Sequence, residues 1–441
     1  MRPVRADFLA EAAARWPERR ALSDASRVWS YAELDAWVAE LARRIRQEDH
    51  ADAGDLMVLV VDPTPEGVAM LLAATRAGLA VAPLNPRLTE PERNAAMEAL
   101  ADAEPGAYAV LWTSGTAGKP RGVSLSADNM RASALASARR LALGPGDRWL
   151  ASLSVAHVGG LALVTRSLLL GSEIVAVGVF DAAETSELMD EGRFSHASLV
   201  PTQLLRVLNH REGRPPPATF RCALIGGAHA SHELVRRALE DGWPLALTYG
   251  MTEATSQVAT APPELVRAKL GTVGRPLDGV EVRLEEDGEI LVRGPTLATG
   301  YVASAEPLTD DAGWYHTGDL GRLDEVGDLW ITGRRSSRIV SGGVTVDPSE
   351  VEEVLRAHPA VAEACVVGIP DPEWGEKVAA ALVFRDGVYD LESVDALART
   401  RLSAAKRPRR WLPLDALPLN ATGKVDREAV RARLAAGPQE G

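Results

Sequence analysis

The first half of the chain alternates between helix-like and strand-like patterns of apolar residues. Residues 33–47 predict an amphipathic helix, because their apolar positions recur every three or four residues. Residues 56–61 (LMVLVV) and 79–85 (LAVAPLN) are typical of buried strands, and residues 65–78 between them predict a helix closed by Gly78. This alternation of strand, helix and strand predicts parallel β-α-β units. The apolar positions of the first helix are Leu34, Trp37, Val38, Leu41, Ala42 and Ile45.

The same alternation continues through five further apolar runs, each of which ends at or near a Gly, Ser or Pro. A helical pattern covers residues 232–242 between the last two of them, and loops at the carboxyl ends of such strands are where α/β sheets bind ligands. The five runs are 108–115, 172–178, 196–201, 220–227 and 244–250.

The pattern changes after residue 271. Residues 280–294 and 321–333 alternate apolar and polar positions around turns, which predicts an antiparallel sheet or a small distorted barrel. A charged stretch at 333–338 then leads to a β-rich run at 361–370 and a predicted helix at 393–405. We therefore predict an α/β fold with two domains: residues 1–333 form a large domain of layered α/β sheets with a β subdomain, and residues 334–441 form a small, mobile α+β lid.

Composition narrows the class of protein. The 441 residues are 46% hydrophobic and 25% charged, values of a globular chain, and the net charge of −13 is the wrong sign for coating nucleic acid. The longest apolar runs fall short of the ~20 residues that a membrane helix needs, and the N-terminus has no apolar stretch of the secretory kind. The two cysteines, Cys222 and Cys365, lie in apolar runs and favour buried thiols in a reducing cytoplasm.

The loop after the strand at 108–113 carries the clearest chemistry. Residues 113–123 (TSGTAGKPRGV) combine hydroxyls, three glycines and two cations. Glycines let the backbone approach a phosphate closely, N–H groups and hydroxyls donate to its oxygens, and Lys119 and Arg121 supply positive charge. The order of residues differs from a Walker A sequence. An isolated turn of this kind is usually a solvated loop, but the whole string favours a phosphate site.

This string resembles the signature loop of the adenylate-forming superfamily, which includes acyl-CoA synthetases, carrier-protein adenylation domains and luciferases. Further stretches match the superfamily's other motifs in the same order along nearly the whole chain. They are YAEL at 31–34, PLN at 83–85, SVAHVGG at 154–160, GGA at 226–228, YGMTE at 249–253, GTVGRP at 271–276, YHTGDL at 315–320, GR at 333–334, SGG at 341–343 and NATGK at 420–424.

Residue chemistry and the resemblance together assign a nucleotide site. Tyr249 ends a strand where its ring can stack on adenine, and Thr252 can reach the α-phosphate. Glu253 offers a hard oxygen ligand for Mg²⁺, and Asp319 and Arg334 are matched to groups that meet the ribose. Taken singly these residues have structural alternatives, such as a core tyrosine or a helix cap. The remaining expected nucleotide, phosphate and metal contacts are Thr113, Ser114, Gly115, Thr116 (also toward Mg²⁺), Gly118, Lys119, Gly226, Gly227, Ala228, Gly250 and Met251.

Three further assignments follow from the resemblance. His157, which without context would be a core histidine, becomes a gate of the acyl pocket, although Ala156 stands where relatives carry an aromatic residue. Lys424 would stabilise the charge that develops at the α-phosphate. Gly342 and Gly343 would let the pantetheine arm of CoA pass close to the backbone. The resemblance also places the lid's pivot near Ser336, where relatives often carry Asp or Lys as a hinge.

The implied reaction joins a small-molecule carboxylate to AMP at the expense of ATP, with Mg²⁺, and then transfers the acyl group to CoA. Segments 149–164 and 248–257 most resemble the branch of the superfamily that activates o-succinylbenzoate for menaquinone synthesis. Three alternatives stay open: another aryl or short-chain acyl-CoA ligase, a stand-alone carrier-protein adenylation enzyme, and a non-catalytic nucleotide-binding protein. The last should have lost Glu253 or Lys424, and this chain keeps both. A homo-oligomer is compatible with the sequence.

Overall fold

The computed structural model describes residues 6–48, 55–100, 107–113, 121–385, 389–420 and 424–436. We call residues 6–334 the body and residues 335–436 the lid. The helices of these ranges are α1 Phe8–Arg15, α2 Tyr31–Glu48, α3 Pro65–Arg76, α4 Glu90–Leu100, α5 Ala127–Arg140, α6 Val158–Leu170, α7 Ala182–Asp190, α8 Pro201–Arg211, α9 His232–Glu240, α10 Pro263–Ala268, α11 Pro348–Arg356, α12 Leu391–Arg401 and α13 Arg427–Ala435. Short 3₁₀ turns cover Thr252–Ala254 and Arg335–Ser337.

The strands form four sheets. In chain order they are β1 Arg20–Ser23, β2 Val28–Ser30, β3 Leu56–Val60, β4 Ala80–Leu84, β5 Ala109–Thr113, β6 Arg121–Leu125, β7 Arg148–Ala151, β8 Glu173–Ala176, β9 His196–Leu199, β10 Cys222–Ile225, β11 Leu245–Met251, β12 Ser256–Ala261, β13 Glu281–Leu284, β14 Glu289–Arg293, β15 Gly300–Tyr301, β16 Tyr315–Leu323, β17 Leu329–Arg334, β18 Ile339–Ser341, β19 Val344–Val346, β20 Val361–Asp371, β21 Gly375–Phe384 and β22 Arg410–Leu414.

Two mixed sheets build the body's α/β layers. The larger has the order β12-β11-β10-β9-β7-β8-β1-β2, and its strands run parallel from β1 through β11 with antiparallel strands at both edges. The smaller has the order β15-β6-β5-β4-β3, with β3, β4 and β5 parallel. The predicted β-α-β units are confirmed, since helices α3 and α6 connect neighbouring parallel strands.

The body's third sheet and the lid's sheet are mainly antiparallel. The order β13-β14-β16-β17 confirms the antiparallel alternative for the region after residue 271. In the lid, β19-β18-β21-β20 pair antiparallel, and β22 adds to β21 in parallel. Because Arg334 closes β17, it belongs to the body's sheet in this structure. The division into residues 1–333 and 334–441 remains a prediction.

The main core lies between the two α/β sheets and the helices that cover them. Trp149 and Trp243 are fully buried, and most apolar residues of α2 and α3 are buried as well. The lid has a core of its own around β20 and β21. Cys222 and Cys365 are free and buried, as predicted. In the ranges that the structure describes, no helix is long and apolar enough to cross a membrane.

One predicted element ends earlier than the sequence pattern suggested. The helix predicted at 393–405 runs from Leu391 to Arg401, and Leu402 is already extended. The guanidinium of Arg407 explains this end, because its Nε donates to the Leu402 carbonyl at 2.9 Å and its Nη2 to the Arg399 carbonyl at 3.0 Å. A side chain beyond the helix thus satisfies its last carbonyl groups.

Candidate active site

The candidate site lies where parallel strands of the larger sheet end. Gly226, Gly227 and Ala228 follow the carboxyl end of β10, and the segment 249–253 follows the same edge from β11 into a 3₁₀ turn. Carboxyl ends of adjacent parallel strands meet at one edge, which is where α/β folds bind ligands. The topology therefore brings two motifs that are distant in sequence side by side.

Close backbone packing shapes this edge at Gly250. The residue pairs with Gln257 across a register shift between β11 and β12, and a Cβ atom built on it would overlap the carbonyl group of Ser256. The next turn places Thr255 and Ser256 at positive φ values of +50° and +98°. A residue with a side chain at position 250 would force these strands apart, so glycine is required here.

A chain of polar contacts links the predicted adenine and ribose residues. The hydroxyl of Tyr249 donates to Oδ2 of Asp319 at 2.8 Å, and Nε of Arg334 lies 3.1 Å from Oδ1 of the same carboxylate. Burial raises the pKa of Asp319, while Arg334 and the Tyr249 hydroxyl act in the opposite direction. Burial and the nearby carboxylate raise the pKa of Tyr249, which therefore stays a neutral donor. The structure thus joins these three predicted residues directly.

Lys424 reaches into the same cluster from the lid. A Cβ atom on Gly227 would lie 3.9 Å from Cε of this lysine, which places its side chain beside the glycine loop of the body. Its pKa lies below the ordinary value, first because of desolvation and then because of Arg334, whereas Asp319 acts in the opposite direction. The structure therefore brings Lys424 together with the body residues that were predicted to hold the nucleotide.

His157 is the N-cap residue of α6, and the positive charge of Lys424 acts on its imidazole. Its Nε2 atom is buried without a hydrogen-bond partner among the described residues, and burial followed by the charge of Lys424 lowers its pKa to about 4. The imidazole is therefore neutral at physiological pH. Gly160 allows the tight approach of this helix to the preceding loop, because a Cβ atom there would overlap the carbonyl of Ser154.

Glu253 is held by a tyrosine that the sequence analysis did not single out. The Tyr301 hydroxyl donates to Oε1 of Glu253 at 3.1 Å and lies 3.3 Å from the Tyr315 hydroxyl, while the guanidinium of Arg121 lies 5.1 Å from the Tyr301 ring centre. Tyr315 belongs to the YHTGDL motif, but Tyr301 stands outside every motif we identified. Its position on β15, which pairs with β6 beside the phosphate loop, could have been recognised only from the fold.

The donor set around Glu253 fits Mg²⁺. One carboxylate with hard oxygens is what this ion usually takes from a protein when phosphates and waters supply the other ligands. Among the described residues, no group of three or more His, Cys, Asp or Glu side chains is arranged to hold a metal ion by itself.

The phosphate loop and the lid's glycine turn are the remaining predicted groups. Ser114, Gly115, Thr116, Gly118 and Lys119 lie outside the described residues, and Thr113 ends β5 with its hydroxyl 3.3 Å from the Arg121 carbonyl. The turn at 342–343 is exposed and packs on the lid's own Trp374, since the Gly342 N–H donates to the Trp374 carbonyl at 2.9 Å. Lys424, but not this glycine turn, has its contacts with the body cluster described above.

The run at 255–257 carried part of the substrate resemblance, and two of its three side chains are buried and hydrogen-bonded within the protein. Thr255 is fully buried and donates to the Thr296 carbonyl at 2.6 Å, and Oε1 of buried Gln257 accepts from Thr260 at 2.9 Å. Ser256 is half-buried. The first and third side chains of this run therefore bond to other groups of the protein.

Comparison with known proteins covers most of the chain. The model for AMP-binding enzymes matches residues 9–105 and 99–302, and the model for the C-terminal domain of AMP-binding enzymes matches residues 350–424. A 2-succinylbenzoate–CoA ligase from Bacillus cereus is 39% identical over 336 residues, which are 74% of this chain and 70% of the relative. A ligase of the same name from Bacillus pumilus is 33% identical across 95% of this chain and 96% of its own length.

Solved structures agree with these matches. The o-succinylbenzoate CoA synthetase of Bacillus subtilis in complex with its acyl-adenylate intermediate has a TM-score of 0.89 and 31% identity, covering 96% of this chain and 98% of that chain. A double mutant of the same enzyme bound with a CoA product analogue has a TM-score of 0.72 and 32% identity, covering 97% of both chains. Together with the two family models and the cluster around Asp319 and Lys424, these matches show that the chain belongs to the AMP-binding enzyme family.

Proposed function

We propose that the protein activates o-succinylbenzoate with ATP and transfers the acyl group to CoA, a step of menaquinone biosynthesis in the cytoplasm. The observation that carries the chemistry is the convergence of the lid's Lys424 on Asp319, Arg334 and Gly227 of the body. The ligase names of the Bacillus relatives, at 33–39% identity, support the choice of acid.

In the first step, a carboxylate oxygen of the acid attacks the α-phosphorus of ATP. The new P–O bond forms as the bond to the pyrophosphate oxygen breaks, giving the acyl-adenylate and pyrophosphate. Asp319 and Arg334 hold the ribose, Tyr249 stacks on the base, and Thr252 and the phosphate loop at 113–119 orient the phosphates. The ammonium of Lys424 offsets the negative charge that builds at the α-phosphate. When bound at Glu253 and Thr116, Mg²⁺ would supply charge neutralisation to the phosphates.

In the second step, the sulfur of CoA attacks the acyl carbonyl and AMP departs with the electron pair of the broken anhydride bond. The thiol proton leaves as the thioester forms. We assign Gly342 and Gly343 to the passage of the pantetheine arm, which requires the exposed turn of the lid to move toward the body. Neutral His157 would line the entrance to the acyl pocket.

The lid orientation in this structure supports an assignment to the first step. The TM-score is 0.89 against the relative that holds an acyl-adenylate and 0.72 against the relative that holds a CoA product analogue. Because coverage is nearly the same in both comparisons, we attribute the difference to the arrangement of lid and body. We therefore take the contacts of Lys424 as those of the adenylation state, and the lid as a mobile unit that pivots near Ser336.

The test is CoA-thioester formation across a panel of acids, with o-succinylbenzoate, benzoate, acetate and a medium-chain fatty acid. We expect o-succinylbenzoate to have the highest kcat/KM. If another acid exceeds it by tenfold or more, which corresponds to ~1.4 kcal/mol, the assigned substrate is wrong while the adenylating chemistry stands. If no acid supports exchange of labelled pyrophosphate into ATP, the adenylation reaction itself is wrong.

A further inference from the structure

Two consecutive arginines connect the body to the lid, and each is paired with a different carboxylate. Arg334 closes β17 and meets Asp319, the expected ribose ligand, at 3.1 Å. Arg335 begins the 3₁₀ turn that leads into the lid, and its Nη1 lies 3.1 Å from Oε2 of Glu289 on β14. Its Nη2 also pairs with the exposed carboxylate of Asp287. The start of the hinge is thus held to the body by a second ion pair beside the ribose contact.

Glu289 differs from its neighbour Asp287 because it is buried and bonded on both sides. Only 4% of the residue is exposed, and its Oε1 accepts a hydrogen bond from the Gly318 N–H at 3.0 Å. Gly318 has a φ of +70° and directly precedes Asp319. The imidazole Nδ1 of His316 lies 3.4 Å from Oε2 of the same carboxylate. One buried side chain therefore touches both the loop that carries the ribose ligand and the first residue of the hinge.

The physical consequence follows from the cost of an isolated buried charge. A carboxylate shielded from water is destabilising unless charge partners and hydrogen bonds compensate it. Arg335 supplies the full positive charge and the Gly318 N–H supplies a bond to the second oxygen. Displacing Arg335 would leave the buried negative charge of Glu289 without its ion-pair partner. The carboxylate therefore favours hinge conformations in which Arg335 stays within ion-pair distance.

We propose that Glu289 is a positioning residue that couples the hinge to the ribose loop and stabilises the lid orientation in which Lys424 reaches the nucleotide. The inference rests on the proposed two-step function. It requires that loss of the Glu289–Arg335 pair slow adenylate formation and leave thioester formation from a supplied acyl-adenylate unchanged. We assign neither residue a contact with the acid, and both act through Asp319, Arg334 and the lid.

The central experiment compares Glu289→Gln, Arg335→Gln and the double variant in the full-length protein. The amide oxygen of Glu289→Gln can still accept the Gly318 hydrogen bond, so this variant removes the charge pair while retaining the loop contact. We expect each single variant to lower kcat/KM for ATP in pyrophosphate exchange about tenfold, with the thioester step within twofold of wild type. The double variant should be no worse than either single, because both remove the same interaction.

Two further variants separate coupling from general stability. Arg335→Lys should recover part of the lost adenylation, since it restores the charge. Arg293→Gln is the matched control: it breaks an exposed ion pair with Glu281 at 2.6 Å in the same sheet, away from the hinge, and should change neither step. Melting temperatures of all variants show whether each protein is folded at the assay temperature.

The proposed coupling is wrong if the two glutamine variants lower the rates of both steps equally, or if neither rate changes. It is also wrong if the losses of the two single variants add in the double variant. These outcomes differ from a failure of the proposed function. In that case wild-type protein itself would form no adenylate from any acid of the panel, whatever the variants do.

Discussion

The nucleotide half and the acyl half of the candidate site are built in different ways. On the nucleotide side, polar side chains from distant parts of the chain bond to one another, as Tyr249, Asp319 and Arg334 do within 3.1 Å. On the acyl side, the described groups are glycines, tightly packed backbone and the unpartnered imidazole of His157. If these assignments hold, recognition of the nucleotide depends on particular functional groups, whereas recognition of the acid depends on the shape that packing leaves.

The two halves also differ in how their buried titratable groups are compensated. Asp319 has a tyrosine hydroxyl and a guanidinium as partners, so its charge can persist in a buried position. Within the described part of the chain, His157 has no hydrogen-bond partner at its buried Nε2, and its imidazole is neutral. A change on the nucleotide side should consequently alter specific interactions with ATP. The predictions below test that separation, beginning with the largest effect.

Removing the ammonium group of Lys424 should have the largest effect on the reaction. We expect Lys424→Ala to slow adenylate formation by roughly a hundredfold, or ~3 kcal/mol, because the charge at the α-phosphate loses its stabilising cation. Thioester formation from supplied acyl-adenylate and CoA should be nearly unchanged, since that step needs a different lid orientation. The measurements are pyrophosphate release from ATP and, separately, thioester formation from the synthetic adenylate.

The matched control for this variant is Lys406→Ala, which removes another lid lysine whose ammonium pairs with Glu350 at 2.6 Å. That change should leave pyrophosphate release from ATP unaffected, because surface ion pairs contribute little. Equal losses in both half-reactions of Lys424→Ala would show that this lysine supports the fold or both steps alike. The argument for two lid orientations would then be lost.

Removing one hydroxyl on the nucleotide side should have a smaller effect. Tyr249→Phe keeps the aromatic ring but deletes the 2.8 Å bond to Asp319, so we expect KM for ATP to rise about tenfold with little change in kcat. Pyrophosphate exchange at varied ATP concentration measures both constants. KM for the acid should stay constant if the halves are separate.

Tyr31→Phe is the control, since the Tyr31 hydroxyl bonds to two backbone carbonyls in the core, at 3.0 and 2.7 Å, away from the site. It should lower the free energy of unfolding by about 1 kcal/mol without changing KM for ATP. If Tyr249→Phe lowers stability in the same way and leaves KM unchanged, its hydroxyl has a structural role only.

The same contrast explains what the sequence could predict. Tyr249 and Asp319 lie in short motifs whose spacing and residue types are tied to nucleotide chemistry, and the structure brings them together. Tyr301 and Glu289 carry no such local pattern, because the contacts of Tyr301 with Glu253 and of Glu289 with Gly318 join residues more than 25 positions apart and depend on sheet pairing. The end of α12 was also missed, because it depends on the side chain of Arg407, which lies beyond the helix.

The acyl side shows a further limit of prediction from motifs. The stretch at 154–160 could be matched by its His and glycines, but the space it leaves depends on how α6 packs against its preceding loop. Conservation of residue type in a motif does not fix that volume. The assignment of the acid therefore rests on the relatives and on the substrate panel more than on any single residue.

The smallest predicted effect is a shift in the pKa of His157. Its pKa of about 4 lies below the ordinary histidine value of 6.5, owing first to burial and then to Lys424. The folded protein therefore binds fewer protons here than the unfolded chain, so this group's contribution to stability is present above pH 6.5 and is lost as the pH falls toward 4. Lys424→Ala should raise the pKa of His157 and narrow this window from below.

His196 supplies an internal control in the same spectra. Its pKa is also lowered to about 4 by burial, but its charged neighbours are Asp147, Arg221 and Arg166, and Lys424 is not among them. Proton NMR titration of both imidazoles in wild type and Lys424→Ala should move His157 upward and leave His196 in place. If both stay in place, Lys424 does not occupy the adenylation position in solution. If both move, the substitution perturbs the whole body, and the separation between its active edge and the rest of the sheet is wrong.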